Sequence, residues 1–157
     1  MLAKVREGDH APLWGFKQAG YRYLIDNEVY LYERVAMANN GSIWINDLMR
    51  DFLAVPGLGL VKAGFAVQLL TGEAGCMDMH NLARFGIEER EFSIPTRKDP
   101  AEQLRVIDET IEHYLYTCDA YGGSEALWDG WCQFVAETSR TYRDAEDVSH
   151  RHVTYLT

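Results

Sequence analysis

The chain has 157 residues, of which 47% are apolar and 25% charged, and its formal net charge is −9. That length fits one globular domain with a core of its own; it does not fit two, and the composition excludes intrinsic disorder. The negative balance argues against a protein that grips nucleic acid through a basic surface. No stretch approaches the roughly 18 apolar residues of a membrane span, so no membrane is expected as a partner. The opening Met1-Leu2-Ala3-Lys4-Val5-Arg6-Glu7 lacks the apolar core of a secretory signal, and the expected location is the cytoplasm. Cys76, Cys118 and Cys132 fit neither a disulfide framework nor a CxxC metal knuckle and read as reduced core residues.

No repeat, low-complexity tract or linker divides the sequence, so residues 1–157 are expected to be a single helical domain. Leu13 to Ala38 is mostly helical in pattern, with a break near Asp26-Asn27 and a stop at Asn39-Asn40-Gly41. Ser42 is placed to cap a second helix, where Trp44, Leu48 and Phe52 run beside Ile45, Met49 and Leu53 as an apolar stripe. Val55-Pro56-Gly57-Leu58-Gly59 stops that helix. Leu60 to Leu70 starts another, apolar nearly all round and therefore suited to the centre of a domain. A turn from Thr71 to Gly75 precedes Cys76-Met77-Asp78-Met79-His80, which opens a short helix ending near Phe85-Gly86. Residues 87–99 read as surface loop. Asp99-Pro100-Ala101-Glu102 joins a capping carboxylate to Pro at the first helical position and Glu at the third, predicting a helix to about Tyr121 that Gly122-Gly123 ends. Ser124 is placed to cap the last helix, whose Leu127, Trp128, Trp131, Phe134 and Val135 predict an inward face. The C-terminal helices thus occupy about 100–140, followed by a polar tail over 141–157. Nothing alternates with period two for long enough to be a strand, so the fold is expected to be all-α.

The charge is unevenly spread. Glu125, Asp129, Glu137, Asp144, Glu146 and Asp147 crowd the last quarter, while residues 55–84 hold only Glu73 and Asp78 against Lys62 and Arg84. An acidic patch repels nucleic acid, so it is expected to face away from any such ligand or to meet a protein partner.

The stretch that carries chemistry is Val55 to Gly86. In Pro56-Gly57-Leu58-Gly59, two glycines two apart let the chain reverse tightly, and backbone N–H groups are left unpaired beside the positive end of the following helix. Such a bend either holds an anion or merely joins two packed helices. Lys62, in the first turn of that helix, is placed to reinforce an anion site. Asp78 then stands at the head of the next helix, where a carboxylate either caps the helix or faces a ligand.

These residues resemble the helix-hairpin-helix DNA glycosylase superfamily, whose members carry a hairpin of the form L-P-G-h-G, a buried helix, and then h-D-x-H or h-D-x-N. Val55-Pro56-Gly57-Leu58-Gly59 matches the hairpin and Met77-Asp78-Met79-His80 the aspartate motif, within a core over about residues 44–86. The spacing between them is slightly shorter than the family's usual run. The resemblance implies a compact, glycosylase-like helical core with DNA phosphates bound at Gly57, Leu58, Gly59, Val61 and Lys62. It implies for Asp78 the role of stabilising the sugar cation as a flipped base leaves, and for His80 a supporting role at the helix start or on a phosphate. Relatives in tailed phages, thought to act on hypermodified thymines, belong to the same resemblance, and the compact acidic chain is phage-like.

The chain also departs from the pattern. The strand-cutting members place a lysine two residues after the second glycine, and that position is Val61 here. Lys62 stands one place late, which turns its side chain by about 100° on a helix. Three scattered cysteines cannot replace the four-cysteine loop of an iron–sulfur cluster, and neither a metal nor another cofactor is expected. The chain is smaller than the catalytic members, which surround this core with two helical subdomains.

Elsewhere, Trp14, Tyr21 and Tyr23 are of a type that stacks on an extruded base, although core packing is the default for aromatics this frequent. His150 and His152 lie in the polar tail with no further ligand at metal-binding spacing, and Asp108, Glu109 and Glu112 read as a solvated helix face. Three functions remain open. The first is a small glycosylase-like hydrolase acting on the N-glycosidic bond of a modified or damaged base. The second is a helix-hairpin-helix DNA-binding module without catalysis. The third is a structural protein, such as a virion or assembly component, whose acidic surface meets a protein.

Overall fold

The computed structural model describes residues 15–149, with side chains for residue 15 and residues 17–138. Every regular element there is helical: α1 (Gly15–Asp26), α2 (Glu28–Asn39), α3 (Ile45–Leu53), α4 (Leu60–Thr71), α5 (Met79–Phe85), α6 (Pro100–Ala120) and α7 (Gly123–Ser149). A 3-10 turn at Glu89–Phe92 lies between α5 and α6. The fold is therefore all-α among the described residues, and no helix there is long and apolar enough to cross a membrane.

Local chemistry accounts for most of the boundaries. Asn27 separates α1 from α2: its backbone leaves the helical conformation at φ −110° and ψ 16°, and its side-chain Nδ2 donates to Tyr23 O at 2.8 Å beside its own N–H at 3.0 Å. Asp99 caps α6 through a bond from Glu102 N–H to Oδ2 at 3.1 Å. Ser42 does not cap α3. Its N–H and hydroxyl both donate to Asn40 Oδ1, at 3.0 and 2.5 Å, closing the loop instead. α3 begins one residue after Trp44, whose N–H donates to Asp47 Oδ2 at 3.3 Å. Ser124 likewise caps nothing: its hydroxyl donates to Gly72 O, tying the start of α7 to the end of α4.

The core is built by Leu48, Met49 and Phe52 of α3, Ala63 and Val67 of α4, Ile111, Tyr114 and Cys118 of α6, and Leu127 of α7. α4 buries Leu60, Ala63, Gly64 and Val67 in it, while Leu69 and Leu70 at its C-terminal end stay exposed, so its apolar surface is covered on one side rather than all round. It approaches α6 so closely that a Cβ on Gly64 would run into the Tyr114 phenol. Phe92 corrects the surface-loop expectation for residues 87–99. It is buried and meets Tyr114 edge-on, with centroids 4.9 Å apart, and a lone aromatic between Glu91 and Ser93 leaves no periodic signal of this. Asp108 is also more than a solvated group, because its Oδ1 accepts from Arg50 Nε and Nη2, at 3.0 and 2.6 Å, linking α6 to α3. Glu109 stays exposed and pairs with Arg105 one turn away.

α7 runs past residue 140 to Ser149, so its first part enters the stretch read as polar tail. Its apolar face is only partly inward: Leu127 is fully buried, Trp128, Trp131 and Phe134 are half-buried, and Val135 is exposed.

Cys76 and Cys118 are free and buried, while Cys132 is free and half-buried. Burial pushes the Cys76 thiol up to about 11 and the Cys118 thiol up to about 12. The unfolded chain starts to lose these protons near its ordinary thiol value of 9.0, whereas the fold retains them. Stability is therefore expected to be full below that value and to decline as pH rises toward the folded values. Urea-unfolding midpoints across the alkaline range will show the decline, and a Cys76→Ala/Cys118→Ala variant will show a shallower one. Gly64→Ala is expected to cost about 1–3 kcal/mol, because neither helix backbone nor the buried ring has room to give; denaturant titration measures this directly.

Candidate functional site

The bend between α3 and α4 is a β-turn in which Leu58 N–H donates to Val55 O at 3.1 Å. Pro56 takes the second position, where its ring pre-sets the backbone. Gly57 takes the third with φ +84°, the left-handed conformation that a type II turn demands there. Gly59 then occupies the N-cap position of α4 without a side chain to cap it, and its carbonyl accepts from Ala63 N–H at 2.9 Å. The N–H groups of Gly59, Leu60, Val61 and Lys62 consequently find no acceptor among the described residues. This shifts the expected donor set. The Leu58 amide is consumed by the turn, and Gly57 serves the backbone conformation, so the free donors run from Gly59 to Lys62.

Asp78 occupies the N-cap position of α5, where Oδ1 accepts from the N–H groups of His80 and Asn81, both at 3.1 Å. The capping role is thus real, and it uses one oxygen only. Oδ2 makes no hydrogen bond among the described residues. The extended segment that delivers Asp78 is held by two buried side chains. The Tyr114 hydroxyl donates to Gly75 O at 2.5 Å and accepts from Met77 N–H at 3.3 Å. Asn81 Nδ2 donates to Cys76 O at 2.6 Å and to Leu127 O at 3.0 Å, joining that segment to α7. Gly75 sits where any Cβ would strike Leu127 and Cys118.

Hairpin and carboxylate share one open cleft of about 830 Å³. Leu58, Gly59, Leu60, Val61 and Lys62 line it from the α4 side, and Asp78, Met79 and His80 from the α5 side. Leu53, Leu82, Phe92, Ile94 and Ile107 form apolar walls, and Glu89 adds a second carboxylate. Lys62 is exposed at the rim, and Gly57 lies outside the lining. α1 backs onto the far side of the bend, where a Cβ on Gly20 would come within 2.5 Å of Pro56 O. The His80 ring stacks on Phe134 with centroids 3.7 Å apart and planes at 23°, so it is held as a wall of the cleft.

Tyr21 and Tyr23 are half-buried and do not line the cleft, and Tyr23 packs against the core. Trp14, His150 and His152 lie outside the described residues. Glu125, Asp129 and Glu137 are exposed on α7 and take no part in the cleft lining, while the side chains of Asp144, Glu146 and Asp147 are outside the described set. Among the described residues no three His, Cys, Asp or Glu side chains gather as a metal site.

Gly75, Asn81 and Tyr114 are positioning residues that sequence reasoning missed. Asn81 directly follows the aspartate motif, which is the one local signal available. Nothing distinguishes Tyr114 from the other eight tyrosines until α6 is packed against α4. No family model, curated protein or solved structure matches the chain.

Tyr114→Phe keeps the ring and removes the hydroxyl, leaving Gly75 O and Met77 N–H only the 3.2 Å bond between them in the interior. The expected loss is about 1–3 kcal/mol in unfolding free energy, with faster amide hydrogen exchange at Met77.

Proposed function

We propose that the protein is a small DNA glycosylase-like hydrolase that breaks the N-glycosidic bond of a modified or damaged base. The observation that carries this reading is the convergence of the unpaired amides of Gly59 to Lys62 and the free Oδ2 of Asp78 on one cleft. Main-chain donors at a helix start bind a phosphate without a basic surface, so a net charge of −9 is no obstacle to such a site. Lys62 at the rim adds the one cation of the cleft lining.

The chemistry follows from the positions. A phosphate on the hairpin amides places the adjoining sugar toward Asp78, and the apolar walls pack against the base. As the C1′–N bond breaks, its electron pair leaves with the base and positive charge develops on the sugar. Asp78 Oδ2 stabilises that charge from a carboxylate already fixed in place by its cap bonds through Oδ1. Water then adds to C1′ and gives up a proton, the leaving base takes one up, and an abasic site remains. Val61 stands at the lyase position, so the product strand stays intact.

A specific observation favours a second reading, a hairpin module that binds DNA without catalysis. Asp78 Oδ1 is fully engaged as a helix cap, which is sufficient reason for a carboxylate at that position. Oligonucleotides bearing a panel of modified bases separate the two. Asp78→Asn keeps a good N-cap and is expected to reduce base release by about 10²-fold or more, with DNA retention unchanged. Retention by the wild type without any release selects the binding module, and neither retention nor release removes both readings. Lys62→Glu is expected to weaken retention of all sequences alike and to lower the salt dependence by about one phosphate contact, measured by binding titrations at several salt concentrations.

A further inference from the structure

A second recess, of about 280 Å³, opens between α5 and α7 and shares only His80 with the cleft lining. Asn81 and Arg84 line it from α5, and Gly130 and Glu137 from α7. Gly130 stands inside α7 with an ordinary helical backbone, although glycine is a poor helix former and its conformation there calls for none. What calls for it is space. A Cβ on Gly130 would collide with Arg84 Nη1 and come within 3.4 Å of Asn81 Oδ1, so the bare backbone brings a guanidinium and a carboxamide oxygen to one spot. Neither is spent on the fold. Arg84 is exposed, lies 5.3 Å from the Phe85 ring centroid, and makes no hydrogen bond or ion pair among the described residues. Asn81 is only 2% exposed, and Nδ2 gives both its hydrogens away, to Cys76 O and Leu127 O, which fixes how the carboxamide faces. Its Oδ1 is left facing the recess with no donor among the described residues, a costly state for an acceptor on a buried residue.

We propose that this recess binds a free α-amino acid. An arginine without a carboxylate partner takes an oxyanion, and its planar fork matches a carboxylate. Asn81 Oδ1 can only accept, so it takes an N–H. Because both groups meet over the same glycine, the ligand has to carry its carboxylate and its N–H a bond or two apart, as an α-amino acid does. The charges agree. Glu137, which accepts from Gln133 Nε2 at 2.9 Å, sets one acid in the wall against the one arginine, and a zwitterion answers both signs. A lone carboxylate or a phosphate would satisfy Arg84 and be repelled by Glu137. The volume suits a molecule of this size and lies just below the range of drug-sized ligands. The inference is independent of the glycosylase reading, since none of these groups except the His80 wall belongs to the cleft.

The test titrates the full chain with each of the common L-amino acids by calorimetry. At least one is expected to bind with a Kd of about 1 mM or tighter. Three relatives of that amino acid are then compared with it: the amine lacking its carboxylate, the acid lacking its amino group, and the N-acetyl derivative, which mimics a peptide terminus. Each is expected to bind about tenfold or more weakly, because each forfeits a charge-assisted bond. Gly130→Ala fills the space over α7 at the expense of a mobile arginine end, and alanine favours the helix, so affinity is expected to fall about tenfold or more with no loss of thermal stability. Arg84→Gln, at an exposed position, is expected to lower affinity by a similar factor. Binding of no amino acid at concentrations up to about 10 mM overturns the proposal. Equal affinity for the deaminated acid or the N-acetyl derivative does so too, as does unchanged affinity in Gly130→Ala and Arg84→Gln. No nucleic acid enters the measurement, so its failure leaves the reading of the cleft as it stands.

Discussion

The hydroxyl of Tyr114 is the contact on which the arrangement of the cleft depends. It bonds Gly75 O and Met77 N–H, two backbone groups of an extended segment that no helix or sheet can satisfy. The ring reaches them only because Gly64 leaves α4 bare where α6 crosses it, and because Gly75 lets the segment lie against Leu127 and Cys118. Burial holds the hydroxyl neutral, raising its pKa well above the ordinary value, so the bond persists across the physiological range. Asn81 completes the clamp by bonding Cys76 O and Leu127 O. With the segment fixed on both sides, the direction of Asp78 is decided before the helix it caps begins.

The two halves of the cleft show how a turn and a cap can serve the fold and still leave polar groups open to one space. The Pro56-Gly57 turn consumes the Leu58 amide to reverse the chain, and the reversal leaves the next four amides without acceptors. Asp78 spends Oδ1 on α5 and keeps Oδ2 open. In both cases the structural need is met by part of the group or segment, and the remainder faces the same space. Net charge is a poor guide to such a site. The described acids of the last quarter lie outside the cleft lining, and the unpaired donors of α4 are dipoles of the main chain, which carry no formal charge.

What could be read directly from the residues is what depends on near neighbours in the chain. The break at Asn27, the cap at Asp99, the turn at Pro56-Gly57 and the cap at Asp78 each follow from a side chain or ring acting within a few residues of itself. The same reasoning erred at Ser42 and Ser124, where a hydroxyl suited to a helix start was claimed by Asn40 Oδ1 and by Gly72 O. It erred at Phe92 and Asp108 because burial of one and pairing of the other depend on α6 lying where it does.

The sequence by itself determined that the regular elements of the described residues are all helical, where most of the bends and several of the caps fall, and the presence of a glycine turn and a helix-capping carboxylate. Helical periodicity and capping are short-range effects, complete within a turn or two of backbone. Only the tertiary structure decided that the turn and the carboxylate open onto the same cleft, which amides remain free there, and that the aromatic face of α7 stays partly uncovered. Those outcomes depend on how closely α4, α6 and α7 approach one another. That approach is set by volumes and contacts between residues far apart in the chain, and no local pattern records it.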